Sequence, residues 1–212
     1  MTTLPPHRAE REAICDLFLE LGPDAPTLDE GWATEDLAAH LYVRERDPIA
    51  ASGIMIKPLA HLHDDGIASV KRRLPYELVV ERIRSGPPGP MRLVDPLVNT
   101  SEYFIHHEDV RRGAGDHAPR PADEIADVEQ ALWQALRRTA PLMTRRIHGV
   151  AVDLVTDDGE MVRTGRAAQR LTLVGRPGEL TLYLSGRRDA ADVRVECSDA
   201  ARAALDAAQL GL

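Results

Sequence analysis

The chain has 212 residues, 43% of them hydrophobic and 28% charged, which is the balance of an ordinary globular protein. That balance excludes a disordered tail, a collagen-like fibre and a disulfide-stapled mini-protein. The 26 basic and 34 acidic residues give a formal charge of −8, a poor match to nucleic acid, whose phosphates need a basic face.

The first sixteen-residue stretch, 6–21, carries Ala9, Ala13, Ile14, Leu17 and Leu21 on one helical stripe, and Gly22-Pro23 ends it. A polar loop follows, through Pro26 to Trp32. Thr34 then reads as an N-cap, with Glu35 and Asp36 in the first turn, where the helix dipole favours acids. This second helix carries Leu37, Ala38, His40 and Leu41 and ends before Pro48. Residues 48–74 show no clean period. Pro75 reads as the N1 proline of a helix with Leu78, Val79 and Ile83, and Ser85 to Pro90 must be loop. Asn99, Thr100 or Ser101 is expected to cap a helix running through Val110 to the break at Gly113-Ala114-Gly115. Another begins near Pro121 and carries Ile125, Val128, Leu132, Leu136 and Ala140.

After about residue 146 the period changes. Val150, Val152 and Leu154 alternate with Ala151, Asp153 and Val155, and Asp157-Asp158-Gly159 is a hairpin signal. Leu171–Val174 reads as a second strand. Leu180, Leu182 and Leu184 alternate as a third would, and residues 192–195 read as a fourth. Ser198 caps a closing alanine-rich helix from about Asp199 to Gln209. The expected fold class is therefore α+β, with a helical domain over 1–146 and a small α/β domain over 147–212. Helices of this length joined by loops suggest an antiparallel bundle. No apolar run approaches the roughly eighteen residues of a membrane span, and no signal pattern opens the chain, so a cytoplasmic protein without membrane partners is expected.

The chemistry concentrates in Ser101–Asp109. On a helix, Glu102 and His106 stand at i and i+4 and share a face. A carboxylate and an imidazole so placed are half of a metal site. His40, among apolar neighbours on a different helix, is the best third ligand. The three ligating groups should converge within about 4–5 Å, leaving a fourth position open as catalytic zinc sites do. The set also suits nickel, iron or manganese. Ordinary readings stay open: a Glu-x-x-x-His pair is often solvent-facing, a lone inward histidine is often a core residue, and His61-x-His63 beside Asp64-Asp65 is either a ligand pair or solvated. Cys15 reads as core and Cys197 as a strand-end residue, so neither supplies a nucleophile; with no CxxC, thiolate zinc and dithiol chemistry are not signalled.

Two strings carry a family resemblance. Gly31-Trp32-Ala33-Thr34-Glu35-Asp36-Leu37-Ala38-Ala39-His40-Leu41 resembles the signature of the mycothiol-dependent maleylpyruvate isomerase N-terminal domain, of the DinB-like four-helix-bundle superfamily. Glu102, His106 and Asp109 match its second signature, and Gly178 to Arg187 is similar to the C-terminal domain that accompanies the bundle. The run His106-His107-Glu108-Asp109-Val110-Arg111-Arg112 is similar to that of an actinobacterial subgroup. The resemblance implies a divalent metal, zinc first, on His40, Glu102 and His106. It implies mycothiol as cosubstrate, a small-molecule electrophile undergoing isomerisation or S-transfer, and Arg187 as a group that pairs with a substrate carboxylate. Homodimerisation is left open. The stretch Ile49–Pro90 and the doubled His106-His107 depart from the isomerase pattern, which bears on the substrate more than on the metal. His107 stands about a hundred degrees round the helix, as a group behind the ligands or at an interface. The alternatives are a non-catalytic metal- or small-molecule-binding protein on the same scaffold, and a tail similar to sterol-carrier-like modules that binds an apolar ligand beside a structural metal.

Overall fold

The computed structural model describes residues 4–89, 95–115 and 118–211. It is an α+β protein, with nine α-helices and one four-stranded sheet among the described residues. None of these helices is long and apolar enough to cross a membrane. By contacts the chain divides into two compact units, Met1–Ala118 and Pro119–Leu212.

The first unit holds α1 (Pro6–Leu21), α2 (Thr34–Arg46), α3 (Pro48–Met55), α4 (Ala60–Arg73), α5 (Tyr76–Arg84) and α6 (Asp95–Gly113). Its core is built from one face of each of several helices: Ile14 and Phe18, Leu37 and Leu41, Val80 and Ile83, Tyr103 and Val110 are all essentially inaccessible. Helix α1 stops at Gly22, whose φ of 78° suits glycine. Thr34 is the first residue of α2 and not its cap. Its hydroxyl donates to the Gly22 carbonyl, so it ties the end of α1 to the start of α2. Asp36 does the capping instead, accepting from the Ala33 N–H at 3.1 Å.

The unperiodic stretch 48–74 is two helices joined by a 3-10 turn at Lys57–Leu59. Asp47 caps α3 by accepting from the Ile49 and Ala50 N–H groups. Glycines let the two helices touch: a Cβ at Gly53 would lie 2.5 Å from the Leu59 oxygen and 3.0 Å from the His63 Cβ, and one at Gly66 would lie 2.9 Å from the Ala50 Cβ. Helix α6 begins at Asp95, ahead of the expected cap at residues 99–101. Asn99 is buried inside the helix because its amide bonds to α2, accepting from Arg44 and donating to Glu45.

The second unit holds α7 (Ala126–Met143), β1 (Val150–Val155), β2 (Met161–Thr164), β3 (Gln169–Val174), α8 (Pro177–Leu184), β4 (Arg194–Cys197) and α9 (Asp199–Asp206). The sheet order is β2-β1-β3-β4; β1 and β3 are parallel and the two edges antiparallel. The Asp157-Asp158-Gly159 turn joins β1 to β2 as expected, with Gly159 at φ 89°. Val152, Leu154, Leu171 and Leu173 share a core with Trp133, Leu136 and Ala140 of α7 and with α8 and α9. Residues 180–184 are helix α8, not the strand their alternation suggests. Leu180, Leu182 and Leu184 are buried, but so are Thr181 and Tyr183, so the segment is covered all round and has no polar face to mark its period. Pro177 at the first helical position and Glu179 in the first turn are its start signals. Ser198 caps α9 through the Ala201 N–H.

Candidate metal centre

Helix α2 presents His40 inward because Leu37, one turn before it, and Leu41, next to it, are in the core. Helix α6 presents Glu102 and His106 on one face at i and i+4. The two helices bring the three residues together: one ligating atom of each lies within 4.8 Å of the others. His40 Nε2 and His106 Nε2 approach the same carboxylate oxygen, Glu102 Oε1, at 3.4 and 3.3 Å. The two imidazole rings are 5.0 Å apart.

Each imidazole is held from behind. His106 Nδ1 lies 2.9 Å from the fully buried carboxylate of Asp109, one turn on, which fixes the ring and turns Nε2 toward the centre. His40 Nδ1 lies 2.8 Å from His63 Nε2 on α4. His63 is 7% exposed, and its other nitrogen is buried without a hydrogen bond of ordinary geometry. The Trp32 ring packs against His40 at 5.4 Å between centroids. The loop that carries Trp32 is docked on α6: the Leu28 N–H donates to the Asp109 carbonyl at 3.0 Å, and Gly113 leaves room for Pro26 and Thr27. The same loop brings Asp29 Oδ2 to 3.8 Å from His106 Nδ1.

The three groups have opposed protonation. Burial lowers the pKa of His40 to about 4, outweighing the hydrogen bond to Glu102. Burial also opposes charge on His106, but hydrogen bonds to Asp109 and Glu102 outweigh it and raise the pKa to about 9. Burial works against an ionised Glu102 too. The hydrogen bonds from His106 and His40 and the charges of His106 and Arg44 overcome it and hold the carboxyl well below its usual range. At neutral pH the site is thus an ionised carboxylate, a neutral imidazole and an imidazolium. A divalent cation can replace that one proton. Two imidazoles and a carboxylate are a donor set that suits zinc, and three protein ligands leave one position open.

His107 turns to α1, where its Nδ1 is 3.0 Å from Glu10. His61 is exposed, whereas His63 is the residue behind His40. Arg187 belongs to the second unit, ahead of a 3-10 turn at Arg188–Ala190, and donates to the Ser185 carbonyl at 2.9 Å. Cys15 is buried, its thiol is pushed up to about 12 chiefly by desolvation, and its Sγ lies 3.7 Å from the Val80 carbonyl. His63 was discoverable: His63, Ile67 and Val70 form a buried i, i+4, i+7 stripe once α4 is read as a helix. Trp32 also borders an open groove of about 400 Å³, together with Asp36, Asp64, Ile67, Ala68, Lys71 and Arg72.

No protein-family model matches the sequence, and no curated protein matches it. Among solved structures, the fold is similar to the mycothiol-dependent maleylpyruvate isomerase, at 17% identity and a TM-score of 0.59, over 92% of this chain and 96% of that one. A histidine-to-alanine variant of that isomerase matches at 16% identity and a TM-score of 0.60, with the same coverage. At this identity the likeness is one of fold.

Proposed function

We propose that this protein is a divalent-metal-dependent enzyme that uses an external low-molecular-weight thiol, of the mycothiol kind, for isomerisation or S-transfer on a small electrophile. The DinB-like bundle assignment of the helical unit belongs to the same proposal. The observation that carries it is the convergence of His40, Glu102 and His106 ligand atoms within 4.8 Å, with Asp109 and His63 fixing the imidazoles from behind. The fold likeness to the mycothiol-dependent maleylpyruvate isomerase supports the thiol.

When bound, a zinc-like cation supplies the charge that keeps a thiol ionised near neutral pH. The residues do the rest. Asp109 accepts the His106 Nδ1 proton, so Nε2 offers its lone pair inward. His40 is kept neutral by burial and also offers Nε2. Trp32 covers one side of His40 and limits water there. Glu102 is the partly exposed member, so ligands reach the centre along its edge. Cys15 offers no rival nucleophile, since it is buried with a raised pKa. The external thiolate sulfur adds to an activated carbon–carbon double bond, and the electron pair of that bond moves onto the conjugated carbonyl. In isomerisation the former double bond rotates and the thiolate leaves again. In S-transfer the β-carbon keeps the sulfur and the neighbouring α-carbon takes a proton as the carbonyl re-forms.

Cobalt-loaded protein titrated with mycothiol tests this reading. A sulfur-to-cobalt charge-transfer band and turnover that needs both metal and thiol are expected. One bound cobalt with no spectral change at saturating mycothiol would replace it with the reading of a non-catalytic metal-binding protein.

A further inference from the structure

The oxygen that both histidines approach has a third neighbour. Arg44 Nε, one turn after His40 on α2, lies 3.0 Å from Glu102 Oε1. The same guanidinium donates through Nη1 to Asn99 Oδ1, one turn before Glu102 on α6. Asn99 in turn donates to Glu45 Oε1 at 3.2 Å. Glu45 is held by Arg11 at 2.7 Å and by the Tyr103 hydroxyl at 2.8 Å, and the Arg11–Glu45 pair is almost wholly buried. Arg44 thus clasps α6 at two points, and the Asn99 contact is anchored in the core.

Both imidazoles meet the same Glu102 oxygen, so the carboxylate faces the centre with one oxygen. A carboxylate oxygen has two lone pairs. One of them can point between the imidazoles while the other accepts the Arg44 N–H. A carboxylate can also grip a cation with both oxygens, after a turn about its last bond. That second grip would take the fourth position, which two imidazoles and one oxygen leave open. The turn moves Oε1 off Arg44 Nε. It therefore costs a charge-assisted hydrogen bond in a place where the Glu102 side chain keeps only 23% of its exposure.

We infer that Arg44 is a positioning residue: its Nε–H holds Glu102 to one-oxygen binding and so keeps the fourth position of the centre open. The inference rests on the metal reading above. Its test uses the full chain loaded with cobalt, as wild type, Arg44→Gln and Arg44→Met. The glutamine amide nitrogen stands as many bonds from the backbone as the arginine Nε and can donate to Oε1, whereas methionine puts a methyl group there. Both variants lose the contact with Asn99, so they differ at the atom in question. Visible absorption reads the coordination number, because four-coordinate cobalt absorbs several-fold more strongly than five- or six-coordinate cobalt. Imidazole, a neutral probe, reads access to the fourth position. Wild type and Arg44→Gln should share the intense band and bind imidazole within about threefold of each other. Arg44→Met should show the weaker band, bind imidazole about 10-fold less tightly, and bind cobalt at least as tightly as wild type, because it gains an oxygen. An unchanged band and imidazole affinity in Arg44→Met, or Arg44→Gln behaving as Arg44→Met does, would overturn the inference alone. A cobalt-bound crystal of the wild type with both Glu102 oxygens on the metal would overturn it too, whether or not the variants fold. Failure of the wild type to take up one cobalt per chain would overturn the metal reading and this inference with it.

Discussion

Adjacent histidines on one helix make a controlled pair of substitutions. His106 Nε2 lies 3.3 Å from Glu102 Oε1, and His107 Nδ1 lies 3.0 Å from Glu10 on α1. His106→Ala removes one of the three groups proposed to hold the metal. Four-ligand zinc sites bind with about 10–16 kcal/mol. One ligand is then worth roughly 3 kcal/mol, or about 100-fold in affinity. His107→Ala leaves the ligands alone but removes a hydrogen bond from a carboxylate that is 1% exposed. Its cost is about 2 kcal/mol of stability, or about 4–8 °C in melting temperature for a chain of this size. Chelator-competition titration of zinc, with melting of the metal-free proteins alongside, separates the two. The expected pattern is a double dissociation: His106→Ala loses about 100-fold in zinc affinity, and His107→Ala loses stability with zinc affinity within about threefold of wild type. Equal losses of zinc affinity in both variants would refute the assignment of ligand and of a neighbour turned toward α1.

Three further outcomes follow. His63→Leu should weaken zinc binding about 10- to 100-fold, the usual cost of losing a partner behind a metal-bound imidazole, while His63→Gln, whose amide oxygen can accept from His40 Nδ1, should recover most of it by the same titration. In metal-free protein the raised pKa of His106 means that its proton contributes stability fully below about 6.5, a contribution lost as pH rises through about 9; melting temperature should fall across that window in wild type and not in His106→Gln, and zinc binding at pH 7 should release about one proton per chain by calorimetry in buffers of different ionisation enthalpy. Gly53→Ala places a Cβ 2.5 Å from the Leu59 oxygen and 3.0 Å from the His63 Cβ, so it should cost about 1–3 kcal/mol in denaturant unfolding and weaken zinc binding as well.

The convergence of His40, Glu102 and His106 was legible because its signals are local and repeated. Glu102 and His106 are one turn apart, and His40 sits between Leu37 and Leu41 on an apolar stripe. Those facts survive small errors in helix boundaries. His63 was not legible because α3 and α4 meet through Gly53 and Gly66, and glycines at a helix contact read as breakers when the partner helix is unseen. Helix α8 was misread because burial on all sides erases the period that separates a helix from a strand. The early start of α6 was hidden because Asn99, a capping residue by type, spends its amide on Arg44 and Glu45. Arg44 drew no attention because its contact with Glu102 spans fifty-eight residues, a pairing that spacing cannot reveal.

The most direct test is a zinc-soaked crystal with diffraction recorded on both sides of the zinc absorption edge. The expected result is one anomalous peak per chain, within about 2.0–2.2 Å of His40 Nε2, His106 Nε2 and a Glu102 oxygen. A peak bound instead by Asp29 and Asp109 on the outer side of His106, or no peak in zinc-saturated crystals, would contradict it.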